Sequence, residues 1–324
     1  MSRPSRRPAV RTGLPVTIVH ACLREGGGGS PTAVLDEASS SLSGRLLTDD
    51  ERRAAPALAG TSHAVFLSRD GEPAAGVGHD RLVVAARFFT ADGELPACGH
   101  GTVAALAFLA QRAGGGEHRA GLRVAGRVVE GRVVCGASSV EAAFEAGPVG
   151  LREPTAGELA LLLPALGLGT AVAAEACIAT LGRPRLLLPV PTRSALAALA
   201  PDLDRLAAAC DHLGLLGAFV HAPMSPSGRV VARMFAPSIG VPEDIANANS
   251  SACLAAHLLG RQGATGISVD MGDALGRPST VTADTRHTSS GVVVDVRGAA
   301  RIGHELRLPG RLAPPGGRWE IEQY

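Results

Sequence analysis

The chain contains no lysine; all 31 of its basic residues are arginine. Lysine Schiff bases and lysine-anchored pyridoxal phosphate are therefore excluded within it. Aromatic residues make up 3% of 324, too few for the stacking platforms that hold single-stranded nucleic acid. A formal net charge of +1 gives no electrostatic reason for a nucleic-acid or other polyanionic partner. The six cysteines, Cys22, Cys98, Cys135, Cys177, Cys210 and Cys253, are widely spaced and form no C-x-x-C pair. Reduced thiols in a cytoplasmic protein are the expectation. No apolar run reaches the ~18–20 residues that a membrane span requires, and no membrane partner is expected. Residues 1–13 are basic with no apolar signal core behind them, and read as a disordered arm.

What the sequence does have is 46% hydrophobic residues, enough for a substantial core, organised around Arg87–Leu109, RFFTADGELPACGHGTVAALAFL. A strand (Arg87–Thr90) passes a turn at Asp92-Gly93 and reaches the loop Pro96–Gly101. Thr102 then reads as the N-cap of an apolar helix over Val103–Leu109. Free N–H groups and the helix dipole favour an anion at such a start, and the same field favours the thiolate of Cys98. Cys98 and His100, two residues apart beside an anion site, are the parts of a proton-transfer centre. With only these two donors at metal-site spacing, no metal is expected.

The stretch recurs as Arg233–Leu259, where Arg233, Phe235 and Pro242 match Arg87, Phe89 and Pro96. Asn247, Asn249, Ser250 and Ser251 offer cap oxygens and N–H groups at a second helix start, with Ser250 in the place of Thr102. Repetition of this unit predicts two related lobes with facing helix N-termini. Between them, Arg119–Val124, Arg127–Val134 and Val140–Glu145 read as an antiparallel meander, and Pro148–Pro154 as a hinge. Thr155 and Glu158 form a capping box for a helix over 155–166. The late strands are expected at Ile267–Met271, Ser279–Asp284, Gly291–Arg297 and His304–Leu308. The first lobe is read as residues 14–150, with 280–324 returning to it, and the second as 151–279.

From about Val16 to Leu308 the chain resembles the phenazine-biosynthesis isomerase-like proteins of the diaminopimelate epimerase and proline racemase superfamily. The resemblance rests on Gly29–Val34 (GSPTAV), Ala86–Ala105, Arg183–Pro201, Arg233–Asn249, Gly272 and Gly276–Ser279 (GRPS). It implies an α+β fold of two similar lobes, each a curved, mostly antiparallel sheet or barrel wrapped around a central helix. It also implies a small-molecule carboxylate, an amino acid or related cyclic acid, bound in the cleft between lobes. The chemistry implied is proton movement at carbon with no metal or organic cofactor, in a homodimer. His63 stands where the phenazine enzymes carry a catalytic glutamate. Cys98 stands where the racemases carry their first cysteine, while the second maps to Ala246 or Asn247. Asp244 matches a cleft aspartate. The expected catalytic residues are thus Cys98, His63 and Asp244, with Gly99, His100, Gly101, Asn247, Asn249, Ser250 and Gly272 binding substrate. Epimerisation or double-bond isomerisation is favoured. A lyase or dehydratase, a cysteine acyl transferase using Cys98 with His63 or His100, and a carboxylate-binding homologue without turnover are the alternatives.

Overall fold

The computed structural model describes residues 13–37, 46–68, 82–289, 291–309 and 312. The arm read at 1–13 falls, apart from Gly13, outside the described residues, as does most of the segment after Pro309. In chain order, β1 (Leu14–Leu23) and β2 (Ser30–Asp36) form a hairpin, and α1 (Asp49–Leu58) crosses to β3 (His63–Ser68). Next come β4 (Leu82–Thr90), β5 (Gly93–Leu95) and α2 (Gly99–Arg112), then the meander β6 (Glu117–Val124), β7 (Arg127–Cys135) and β8 (Val140–Pro148). After β9 (Gly150–Arg152) and α3 (Ala156–Ala165) the plan repeats. β10 (Cys177–Leu181) and β11 (Arg183–Pro189) are the hairpin, and α4 (Arg193–Ala197) and α5 (Leu203–Leu213) the crossover to β12 (Ala218–His221). β13 (Arg229–Ala236), β14 (Val241–Asp244) and α6 (Ala248–Gln262) lead into β15 (Gly266–Met271), β16 (Ser279–Thr288) and β17 (Gly291–Leu308).

Strand pairing repeats with the order. The parallel pair β2–β3 sets Ala33 against Ala64, and the parallel pair β11–β12 sets Leu186 against Ala218. The antiparallel neighbours set Ala64 against Phe89 and Ala218 against Phe235. The Arg–Phe repeat is equally literal. Arg87 lies 5.0 Å over the Phe89 ring and forks onto Glu94; Arg233 lies 4.7 Å over Phe235 and forks onto Glu243. The molecule is therefore α+β, two similar lobes of curved, mostly antiparallel sheet, each around one helix.

Composition explains why the helices are inside. A helix that is apolar on every side has no face to offer water. Val103–Ala107 in α2 and Ala252–Ala255 in α6 are at most 1% exposed. Their alanines keep the helices thin, so a sheet can close round each. The outer faces are covered separately, by α1 over β2–β4 and by α3 and α5 over β10–β12. The Thr155–Glu158 capping box forms as expected, and Thr48–Glu51 makes a second.

Three local expectations are corrected. α2 starts at Gly99, with Cys98 as N-cap; Thr102 sits inside the first turn and returns its hydroxyl to the Cys98 carbonyl at 2.9 Å. Of the four residues expected to cap α6, Asn247 alone holds the N-cap place, accepting from the Ser250 N–H at 2.9 Å, while Asn249, Ser250 and Ser251 lie inside the helix. The two strands expected at Gly291–Arg297 and His304–Leu308 are one, since residues 291–308, Gly298 and Gly303 included, pair in turn with β16, β8 and β1. Glycine is needed there for close approach, since a Cβ would stand 3.0 Å from Cys22 Sγ at Gly298 and 2.8 Å from the Ile18 carbonyl at Gly303.

Candidate active site

The two central helices meet end to end. A Cβ added to Gly99, the first residue of α2, would lie 2.5 Å from Ala248 Cβ, 2.9 Å from Asn249 Oδ1 and 3.0 Å from Asn249 N. Two positive helix poles thus share one point. Cys98 makes no side-chain cap, so no side chain takes up the first-turn N–H groups of α2 from that position. A cavity of about 30 Å³ opens here, lined by His63, Cys98, Gly99, His100, Arg185, Asn247 and Asn249 among others. A cleft of about 490 Å³ also exists, but it lies on the outer face of β7, β8, β16 and β17, among exposed arginines and carboxylates. Size points outward; the buried reactive groups point to the small cavity, and the site is assigned there.

The strand β3 begins at His63, 2% exposed, which β2 and β4 hold in register. Ser62 Oγ lies 2.9 Å from its Nδ1, and its ring meets His100 edge to face, centroids 4.4 Å apart. Burial, with the neighbouring His100 charge, holds His63 well below the usual 6.5, so the ring is neutral near pH 7. His100 goes the other way. Burial alone would lower it, but the facing Cys98 and Asp244 outweigh this and raise it to about 9. Its Nε2 is 3.5 Å from Cys98 Sγ, and its Nδ1 is 4.0 Å from Asp244 Oδ2. Cys98, His100 and Asp244 therefore form a chain, with the imidazolium in the middle. Asp244 is fully buried, which raises its pKa; the facing His100 charge, the Asn247 amide and backbone N–H groups work against that. Its Oδ2 accepts from Asn247 Nδ2 at 2.9 Å.

The structure brings most of the expected residues together, in distinct positions. His63, Cys98, Gly99, His100, Asn247 and Asn249 line the cavity. Asp244 and Ser250 stand behind it, the first orienting His100 and Asn247, the second touching Arg185 Nη1 at 3.4 Å. Gly101 lies beneath Cys98, where a Cβ would be 3.0 Å from Sγ. Gly272 is in the turn after β15 and is not among the lining residues; with φ +77° and a Cβ position 2.1 Å from the Arg277 carbonyl, glycine is required by the backbone. Lining residues outside the expected set include Leu181, Arg183, Arg185, Leu216 and Ile239; of these, Arg185 is the buried charged side chain. Within an apolar run, RLLLPV, an arginine reads as a strand-edge residue; its position just after Gly182-Arg183-Pro184 was the available signal. A third donor joins Cys98 and His100 at metal-site spacing. His63, Cys98 and His100 place ligand atoms within 4.8 Å of one another, the one such group that includes three donors among the described residues.

All six cysteines are free. No helix among the described residues is long and apolar enough to cross a membrane.

Comparison with known proteins agrees with this architecture. An uncharacterized isomerase of Deinococcus radiodurans is 29% identical over 287 residues, covering 82% of this chain and 86% of that one. The structure of a predicted epimerase from Pseudomonas aeruginosa superposes with a TM-score of 0.74 at 26% identity, over 91% of this chain and 99% of that chain. A hydroxyproline epimerase from Agrobacterium vitis, solved with trans-4-hydroxy-L-proline bound, shares the fold alone, at a TM-score of 0.60 and 10% identity over 92% and 91% of the two chains. The model of the phenazine biosynthesis-like proteins (PhzC-PhzF) matches residues 19–305. Repeated lobes, abutting helix starts and isomerase relatives converge: this chain is an enzyme of the isomerase class and belongs to the phenazine biosynthesis-like family.

Proposed function

We propose that the enzyme moves a proton between two carbons of a small unsaturated carboxylate, without cofactor and on one face of the molecule. The observation that carries this is the spacing of the acid–base groups. Epimerisation at one carbon needs a base on each face of that carbon. His63 and Cys98 instead place their reactive atoms within 4.8 Å of each other, too close to hold a carbon between them at ~3–3.5 Å from each. Side by side, they serve two neighbouring positions of one face.

The neutral His63 ring removes the proton alpha to the carboxylate, leaving a dienolate and an imidazolium. The helix-start N–H groups, fixed before reaction, stabilise the negative charge as it grows on oxygen. The Cys98–His100 pair then delivers a proton to the gamma carbon, and the double bond comes to rest between the alpha and beta carbons. Passing the His63 proton back to that pair resets the site. Substrate and product are isomers, and no group is gained or lost. Asp244 takes no part at carbon; it keeps His100 cationic and aimed at Cys98.

Cyclohex-2-ene-1-carboxylate deuterated at the alpha carbon tests this. The expected product in light water is cyclohex-1-ene-1-carboxylate, with a fraction of the label at gamma, while L-proline and trans-4-hydroxy-L-proline keep their optical rotation. Loss of rotation by either saturated acid would replace this reading with two-face epimerisation.

The pH dependence follows from the two histidines. Since His63 stays neutral well below 6.5 and His100 is held to about 9, kcat/KM is expected to stay level through pH 6.5 and to fall above about 9. Stability responds with opposite signs. The raised His100 contributes fully below about 6.5 and loses its contribution as pH climbs through about 9. The depressed His63 disfavours the fold as pH drops below about 6.5, because the unfolded chain then binds a proton that the buried ring refuses. Initial rates and denaturation midpoints across pH 5–10 check both; an activity limb at 6.5 would contradict the neutral base.

A further inference from the structure

Arg185 is the largest fully buried side chain among the described residues, at 1% exposure. Arginine is almost never buried to that degree without a counter-charge. Here Nη2 donates to the Leu181 and Arg183 carbonyls at 2.6 and 2.5 Å, and Nη1 reaches Ser250 Oγ at 3.4 Å. The Nε–H has no acceptor at all. Among the described residues no carboxylate is paired with this guanidinium, and the acidic partner nearest in effect is the thiol of Cys253. A cation stripped of water and given only neutral acceptors is an expensive thing to keep. Yet its position is not an accident of packing, because Arg185 is among the residues that line the cavity shared by His63, Cys98 and Asn249.

The repeat sharpens the point. Pairing sets Ala33 and Leu186 in equivalent places, so Thr32 in the first lobe corresponds to Arg185 in the second, and His63 corresponds to Gly217. The two lobes have specialised. One wall carries the groups that titrate; the other, beside the start of α6, carries a fixed positive charge with one hydrogen-bond donor free.

We infer that Arg185, with the first turn of α6, is the counter-ion for the carboxylate of the substrate, so that the acid end of the molecule rests on the second lobe and its reacting carbons face Cys98 and His63. This rests on the proton-transfer reading for the identity of the reacting end. The anion site itself does not depend on it.

The test separates the two. Binding of cyclohex-1-ene-1-carboxylate and of its neutral amide is measured by calorimetry and thermal shift on the whole protein, its Cys98→Ala variant and its Arg185→Met variant. Wild type and Cys98→Ala are expected to bind the acid and to discriminate against the amide. Arg185→Met should bind the acid about tenfold more weakly or worse, the loss expected for a charged hydrogen bond, and should melt, unliganded, at or above the wild-type temperature because an uncompensated buried charge has gone. A merely structural arginine would give the reverse, a lower melting temperature with the acid's affinity intact, and that result overturns the proposal. So does equal binding of acid and amide by wild type, or Arg185-dependent stabilisation by inorganic phosphate without any by the acid. If the methionine variant does not fold, Arg185→Lys takes its place: charge without the planar fork should weaken the acid several-fold, and unchanged affinity again overturns the assignment. Arg185-dependent binding of the acid, with no isotope transfer in wild type, would leave this site standing and sink only the proposed reaction.

Discussion

Replacing His63 with alanine is expected to abolish both exchange of the alpha proton and formation of product, whereas Cys98→Ala should keep the exchange and lose the product. Each rate should fall by about 10²–10⁴-fold, the usual worth of a positioned acid or base. The asymmetry follows from the order of steps. With His63 gone, no neutral base remains on that wall, because His100 is held as a cation by Cys98 and Asp244. With Cys98 gone, His63 still takes the alpha proton and, from solvent exchange, returns deuterium to the same carbon; delivery at gamma is what fails. Both side chains are buried, so His63→Gln and Cys98→Ser serve as shape-preserving partners in the series. Proton NMR in deuterium oxide reads exchange and product together. The opposite pattern, with exchange lost in Cys98→Ala and kept in His63→Ala, would hand the base role to the thiol.

A comparably large effect is expected from Gly99→Val, which adds no charge and removes no catalytic group. Its Cβ alone would stand 2.5 Å from Ala248 Cβ and 3.0 Å from the Asn249 backbone nitrogen. Neither neighbour is the free end of a flexible chain, so the helix starts must part. A displacement of about 1 Å is enough to cost some 10²-fold in rate when reacting groups depend on placement. Overpacking should also lower stability by about 1–3 kcal/mol. Gly260→Ala, on the same α6 where a Cβ meets nothing within 4 Å, is the control; it should leave kcat/KM unchanged. Wild-type kinetics in a folded Gly99→Val protein would show that the contact between helix starts is dispensable.

These two experiments probe what the sequence displayed most openly. Cys98, Gly99 and His100 are consecutive, and their neighbours Arg87 and Phe89 recur as Arg233 and Phe235, so loop, chemistry and duplication could be read along the chain. What was misread came from competition between good local signals. Thr102 is a better cap by propensity than Cys98, yet the helix runs four residues further back because Gly99 and Gly101 let it pass close to Asn249 and Phe88. Gly298 and Gly303 look like strand ends, and become spacers in one long strand only when β1 lies against them. Arg185 was hard to single out for a different reason. Its meaning comes from lacking a partner, and absence of a partner is a property of three-dimensional surroundings. The third donor beside Cys98 and His100 is hidden likewise, 35 residues upstream of Cys98 at the head of β3.

The cavity described above is small, about 30 Å³, against the roughly 300–1,000 Å³ of an ordinary ligand pocket. No carboxylic acid with a ring can pass through or sit in that space without the walls first drawing back. The rate at which ligand arrives is then governed by how often the walls separate, and a rarely separated form weakens observed affinity in proportion to its scarcity. Release faces the same barrier from inside. Turnover in this enzyme is accordingly expected to be timed by opening and product escape, with solvent viscosity slowing it and the chemical steps near equilibrium once the walls have adjusted to the bound acid.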